Sequence, residues 1–259
     1  MPRELEFLEF KDPDALLARE LKVRATREEV HVWPLQLEGS EVARAQCAQM
    51  LSPSELERAG RFYFEHLRTS FTFAHGLMRY VLATYVGVEP AKLEFTTGEF
   101  GKPALAGPAN ASALSFNLSH SHGRALLAVS AGRDIGVDVE QENSRTDVLG
   151  IASSYFFGPE RDAIVAAGTE RRVATFFRYW AAKESVMKAE GAGLHLPLDS
   201  FHVQFDPELT SARIENLDPA KVRAGWIVRS LPCEPGWHAA VAALSEDWQV
   251  KVMPGAHGA

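Results

Sequence analysis

Asp138 and Glu140 stand two residues apart in the run Gly136-Val-Asp-Val-Glu140. In a strand that spacing puts both carboxylates on one face and Val137 and Val139 on the other. Adjacent carboxylates repel unless a cation stands between them. A hard divalent ion such as Mg2+ meets that need, taking one or two protein carboxylates and completing its shell with water and substrate phosphate oxygens. A solvated strand face accounts for the pattern equally well. A second run, Thr175 to Gly191, carries Lys183, Glu184 and Lys188 among the large apolar residues Phe176, Phe177, Trp180 and Met187. On a helix Glu184 and Lys188 share a face, with Trp180 one turn earlier on it. Alone, they make a surface ion pair on an amphipathic helix, and any further role depends on what the rest of the chain brings to meet that helix.

Three further stretches are ambiguous singly. Phe116-Asn-Leu-Ser-His-Ser-His122 brings Ser119, His120 and His122 to a strand end. No third His, Cys or carboxylate stands nearby at a zinc-like spacing. Hydroxyls and a histidine there suit phosphate or sugar contacts, and the plain alternative is a polar turn into Gly123. Lys102, between Gly101 and Pro103, is either a point charge for a phosphate or part of a turn. Arg58, Arg61, Arg68 and Arg79 form a basic cluster among aromatics. Arginine rather than lysine tilts the reading from a solvated helix face towards phosphate recognition.

These groups act together only if the chain folds to collect them. Residues 29–37 alternate like a strand, with Pro34 marking an edge. Ser52-Pro-Ser-Glu55 has the form of a capping box opening a helix towards Phe64. A second helix is expected over 68–86, ended by Gly87. Residues 93–97 read as a strand and 98–108 as a loop. Short β-rich runs at 113–121, 125–130 and 135–140, with turns at His122-Gly123 and Ala131-Gly132, form an antiparallel meander. Helices follow near 147–154, from Gly158-Pro159-Glu160, and over 169–190, closed by Gly191. Strands return at 201–205, 213–217, 225–231, 237–244 and 248–253. Residues 1–27 carry no assignment beyond a short helix near 13–23.

The order gives an α+β protein of two similar halves, 29–132 and 133–253, with an N-terminal extension over 1–28 and a tail over 254–259. A faint echo supports a repeat: Phe71 to Arg79 and Trp180 to Lys188 each set an aromatic near a helix start and a cation eight residues on.

Composition bounds the function classes. The chain has 259 residues, 46% apolar and 24% charged, the make-up of an ordinary soluble globular protein. A formal net charge of -7 argues against a general nucleic-acid binder. Two distant cysteines, Cys47 and Cys233, form neither a disulfide framework nor a zinc site. The first residues have no signal-peptide pattern, and no apolar run is long enough to cross a bilayer. The expected location is the cytoplasm.

The order of the motifs removes the ambiguity that each has alone. Gly101-Lys-Pro103, Phe116-Asn-Leu-Ser-His-Ser121, Gly136-Val-Asp-Val-Glu140 and Trp180-Ala-Ala-Lys-Glu-Ser-Val-Met-Lys188 follow one another as in the 4'-phosphopantetheinyl transferases. The chain resembles the larger, two-halved Sfp type of that family, over roughly Val30 to Leu244. The resemblance implies a pseudo-twofold pair of α+β halves with antiparallel sheets and an active site in the cleft between them. It implies Mg2+-dependent transfer of phosphopantetheine from coenzyme A to a serine of an apo carrier protein, releasing adenosine 3',5'-bisphosphate, by a monomer. It implies Asp138, Glu140 and Glu184 as metal ligands, Glu184 also as the candidate base, and Lys188 on the pyrophosphate. Lys102, Ser119 and His120 are implied at the 3'-phosphate and nearby nucleotide, Lys183 in the lysine slot of W-x-x-K-E, and Arg61, Arg68 and Arg79 in the region where the family draws further cations. The wording around Arg68 departs from the family's, so which arginine touches coenzyme A stays open. The rival readings are a Mg2+-dependent phosphohydrolase and a non-catalytic module binding coenzyme A or carrier proteins.

Overall fold

One plan of strand, helices and hairpin is used twice. The computed structural model describes residues 7–107, 109 and 113–253. The first use comprises α1 (Pro13–Leu17), β1 (Glu29–Gln36), α2 (Glu41–Met50), α3 (Pro53–Gly60), α4 (Glu65–Val86), the small hairpin β2 (Phe95–Thr97) and β3 (Pro103–Leu105), then β4 (Leu114–Ser121) and β5 (Arg124–Ala131). The second comprises β6 (Ile135–Gln141), α5 (Val148–Tyr155), α6 (Gly158–Ala166), α7 (Gly168–Glu190), β7 (Phe201–Phe205), β8 (Ser211–Asn216), β9 (Trp226–Leu231) and β10 (Trp237–Leu244), and β11 (Gln249–Val252) ends the described chain.

The sheets run β11-β1-β5-β4 and β6-β10-β9-β8-β7. In each, the opening strand of the half pairs antiparallel with its closing strand, β1 with β5 and β6 with β10, and the preceding strand lies outside. The long helices also correspond, 22 residues in α4 and 23 in α7. The expected two-halved α+β architecture is therefore present. One strand departs from it: β11 crosses back and pairs parallel with β1, so residues 249–252 belong to the first sheet, not to the second half.

Local chemistry explains the boundaries. Ser52 accepts from the Glu55 N–H while the Glu55 carboxylate accepts from the Ser52 N–H, the expected capping box. Gly87 and Gly191 close α4 and α7 at φ 69° and 71°, where a Cβ is strained. His122 and Gly123 both have positive φ, 43° and 79°, as a two-residue hairpin turn requires. Helix α2 was not expected. Its signal is Ser40, whose hydroxyl caps Ala43, ahead of a stretch too polar to show a strong apolar face. The first helix is shorter than expected, and β3 lies in what reads as loop. The tail 254–259 and the first six residues of the extension lie outside the described residues.

Burial follows the alternation of the strands. Val137 and Val139 join Val30, Val32, Leu126 and Val241 in a core between the two sheets. Each such side chain contributes roughly 1.5–3 kcal/mol of burial free energy. Asp138 and Glu140 point the other way, towards α7. That helix lies against β6 and β10 over a core of Phe176, Ala181, Val186, Phe201 and Trp226. Gly136 sets how close it comes: a Cβ there would stand 2.1 Å from the Ser185 carbonyl oxygen and 2.4 Å from the Ala189 nitrogen. The glycine of the Gly136–Glu140 run is thus a packing requirement that brings α7 onto the carboxylate-bearing strand.

Candidate active site

Strands β4 and β6 face each other where the halves meet, and their polar side chains engage in sequence. Asn117 Oδ1 accepts from the Val137 N–H at 2.8 Å, Ser119 Oγ donates to Asp138 Oδ1 at 2.9 Å, and Ser121 Oγ donates to Glu140 Oε2 at 3.2 Å. Helix α7 adds Lys188, whose ammonium donates to Asp138 Oδ1 at 2.5 Å and to Ser119 Oγ at 2.8 Å. Trp180, expected only as a structural footing, also lies near enough to Glu140 to favour its charged form slightly. Asp138, Glu140, Glu184, Lys188 and Ser119 therefore form one cluster drawn from a strand of each half and one helix.

The electrostatics of this cluster are unbalanced. Burial, with Asp138 adding repulsion, pushes both Glu140 and Glu184 up to about 7. Asp138 is 1% exposed, and its Oδ2 is buried without a hydrogen-bond partner. Three carboxylates thus face a single ammonium, and one buried oxygen has no donor, an arrangement that invites a further cation. Among the described residues no three His, Cys, Asp or Glu groups stand as a ready-made metal cage.

His120 is exposed at the end of β4, yet it is held below its usual value by partial desolvation against the surrounding side chains and by the charges of Lys188, His75 and Arg58. Neutral at pH 7, it is a hydrogen-bonding group rather than a cation. Arg58, from the basic cluster read towards phosphate recognition, and His75, which the sequence did not single out, thus act electrostatically on His120. Arg58 lies 5.2 Å over the Phe71 ring, and Phe71 stacks on His75 at 4.0 Å between centroids. Arg58 belongs to the basic cluster, but its stacking on Phe71 needs the α3–α4 corner, which spacing does not reveal.

Several expected contacts lie elsewhere. Lys183 does not reach the cluster. It is fully buried on another side of α7, 2.8 Å from Glu160 Oε2, and donates to the carbonyls of Leu198 and Phe201 at 2.6 and 2.9 Å. Sequence adjacency to Glu184 misleads because consecutive helical residues point about 100° apart. Arg79 is also structural: 2% exposed, it binds Glu55 and the carbonyls of Pro90 and Leu93. Arg61 is exposed and paired with Glu57 at 2.5 Å, and Arg68 pairs with Glu65 at 3.3 Å. Lys102 uses two donors on the carbonyls of Ile135 and Ala189, at 2.9 and 2.8 Å, tying its loop to β6 and to the end of α7. Burial lowers its pKa. A cavity of 540 Å³ lined by Arg178, His238 and Trp237 contains none of the clustered carboxylates, so the chemistry does not sit in that concavity.

Comparison with known proteins agrees with the motif order. A family described as the 4'-phosphopantetheinyl transferase superfamily matches residues 134–242, and one described as 4'-phosphopantetheinyl transferase, N-terminal, matches residues 38–132. The 4'-phosphopantetheinyl transferase HetI of Nostoc sp. is 35% identical over 226 residues, covering 86% of this chain and 91% of its own. The 4'-phosphopantetheinyl transferase Sfp of Bacillus subtilis is 29% identical over 200 residues, covering 76% and 84%.

Proposed function

The chain belongs to the 4'-phosphopantetheinyl transferase family, and from that premise we propose that it moves the phosphopantetheine arm of coenzyme A onto a serine of an apo carrier protein, releasing adenosine 3',5'-bisphosphate. The observation that carries the reading is the excess of carboxylate at the meeting of the halves: Asp138, Glu140 and Glu184 around the single ammonium of Lys188, with Asp138 Oδ2 buried and unpartnered. Asp138, Glu140 and Glu184 are the residues that would hold one Mg2+ ion, which would supply charge neutralisation on the phosphates.

The chain's own groups divide the remaining work. Lys188, already directed at the cluster from α7, exchanges part of its contact with Asp138 for a pyrophosphate oxygen and stabilises the charge that builds there. Ser119 and His120 at the end of β4 hold the nucleotide from the first half, with Arg58 as the exposed phosphate-binding cation beside them. Lys102 contributes charge at the rim while fixing the loop. Glu184 takes the serine proton, directly or through a water. The serine oxygen then bonds to the β-phosphorus, and the electrons of the broken phosphorus–oxygen bond leave with the bisphosphate.

The reading takes the protein to act as a cytoplasmic monomer on carriers of the fatty-acid, polyketide or nonribosomal-peptide type. Among the described residues no helix is long and apolar enough to cross a membrane. Mass spectrometry of a panel of apo carriers incubated with the protein, coenzyme A and Mg2+ tests it. Carriers gaining one phosphopantetheine, and coenzyme A consumed only in their presence, are expected. Cleavage of coenzyme A at the same rate without a carrier would replace the transferase with a phosphohydrolase.

A further inference from the structure

The polar contacts between β4 and β6 have a continuation beyond the site. After Asn117, Ser119 and Ser121, the chain turns at His122-Gly123, and Arg124 reaches across to the β9–β10 loop of the other half. Its guanidinium pairs with Glu234 at 2.6 Å and sits in the angle between two rings, 4.8 Å from the Phe10 centroid and 4.3 Å from that of Trp237. Arg124 is opposite Ser121 in the hairpin register, so both lie on the face turned to the second half. What fixes Arg124 therefore fixes the turn that carries Ser121 onto Glu140.

Phe10 comes from the N-terminal extension, which the sequence left without a role. The extension is fastened at both sides of the junction. The Leu8 N–H donates to the Pro232 carbonyl at 2.7 Å, in the second half, while Lys11 exchanges backbone bonds with Pro34 and Gln36 of β1, both at 3.0 Å. Leu8 and Trp237 are buried in the core between the sheets, with Phe10 packed against it. Phe10 and Arg124 thus close the end of that core nearest the site.

We propose that Arg124, caught between Phe10 and Trp237, is a positioning residue that sets the opening of the cleft, and that the N-terminal extension serves as a strap across the two halves for this purpose. The proposal rests on the transferase reading for its ligand, coenzyme A. Its consequence is selective. The metal carboxylates and Lys188 all belong to the second half and stay together when the strap is loosened. Ser119 and His120 belong to the first half and lose their register against them. Arg124→Ala should therefore weaken coenzyme A binding without weakening metal binding. Loss of a partly buried cation from two aromatic faces translates into roughly a tenfold loss.

Calorimetric titration of coenzyme A in EDTA, with Mn2+ binding measured separately, tests this without reliance on turnover. Arg124→Ala and Phe10→Ala should each raise the Kd for coenzyme A about tenfold with Mn2+ affinity unchanged, and Phe10→Trp should restore it. In the transfer assay the same variants should raise KM for coenzyme A and leave kcat within about threefold. If Arg124→Ala fails to fold, Phe10→Ala alone decides. A Kd within twofold of the wild type, or an equal loss of Mn2+ affinity, would overturn the proposal. A wild-type protein that binds coenzyme A and transfers nothing would instead remove the transferase reading and leave the strap in place.

Discussion

Lys188 and Asp138 meet at 2.5 Å through one carboxylate oxygen, Oδ1, while the other, Oδ2, stays buried without a partner. That half-satisfied pair, with Glu140 and Glu184 beside it, is the electrostatic centre of the protein. Without a divalent ion the cluster is relieved by protons instead.

Stability should therefore depend on pH and metal together. The folded-state values of Glu140 and Glu184 are about 7, above the usual 4.5. The folded protein holds protons that the unfolded chain has released, so stability from this source falls as pH rises from 4.5 to 7 and levels off above. The melting temperature without metal should drop across that window. Added Mg2+ should stabilise more at pH 8 than at pH 5, and Glu140→Gln should flatten the pH slope. A metal-induced shift independent of pH would argue against carboxylate ligation.

Gly136 makes a sharper structural prediction. A methyl group at this position has no room between β6 and the backbone of α7 at Ser185 and Ala189. Gly136→Ala should cost about 3 kcal/mol in urea unfolding and reduce transfer, because Glu184 and Lys188 move away from Asp138. A loss below about 0.5 kcal/mol would mean that the helix can retreat without strain.

Lys183 is predicted to serve folding and not the nucleotide. Its pair with Glu160 is fully buried in this protein, so Lys183→Ala should cost about 4 kcal/mol by leaving the buried Glu160 carboxylate without its counter-cation, with only the Phe157 and Val203 N–H donors. Lys183→Met combined with Glu160→Leu should recover most of that in chemical denaturation. A Lys183 variant of native stability but weakened coenzyme A binding would return the residue to the site.

The arginines separate in the same way. Arg58 is exposed and stacked on Phe71 near His120, whereas Arg79 is buried on Glu55 and two carbonyls. Arg58→Ala should raise KM for coenzyme A about tenfold with stability nearly unchanged, as expected for loss of a charge-assisted phosphate contact. Arg79→Ala should mainly lower the unfolding midpoint. The reverse pattern would show that phosphate is drawn to another part of α4.

These contrasts show where sequence reading reaches and where it stops. Period-two alternation put Asp138 and Glu140 on one face with Val137 and Val139 on the other, and helical spacing aligned Trp180, Glu184 and Lys188. Both are local relations, and both hold in the fold. The long-range partners were not legible. Nothing in the spacing joins Lys183 to Glu160, 23 positions earlier, or Arg79 to Glu55, so two buried structural cations looked like ligand contacts. Residues 7–11 looked unassigned because their fastening points lie at Pro34, Arg124 and Trp237. Strand β11 was read correctly as a strand, yet its sheet is set by β1, more than 200 residues away, which alternation cannot encode.

The most direct test is the transfer rate of Glu184→Gln, measured by carrier mass shift beside a thermal melt of the same preparation. Removing one of three crowded carboxylates should leave the melting temperature unchanged or higher while transfer falls at least about a thousandfold, the scale expected for loss of a metal ligand that also takes the serine proton. Near-wild-type transfer by a well-folded Glu184→Gln protein would contradict the assignment of Glu184, and with it the cluster around Asp138 as the catalytic centre.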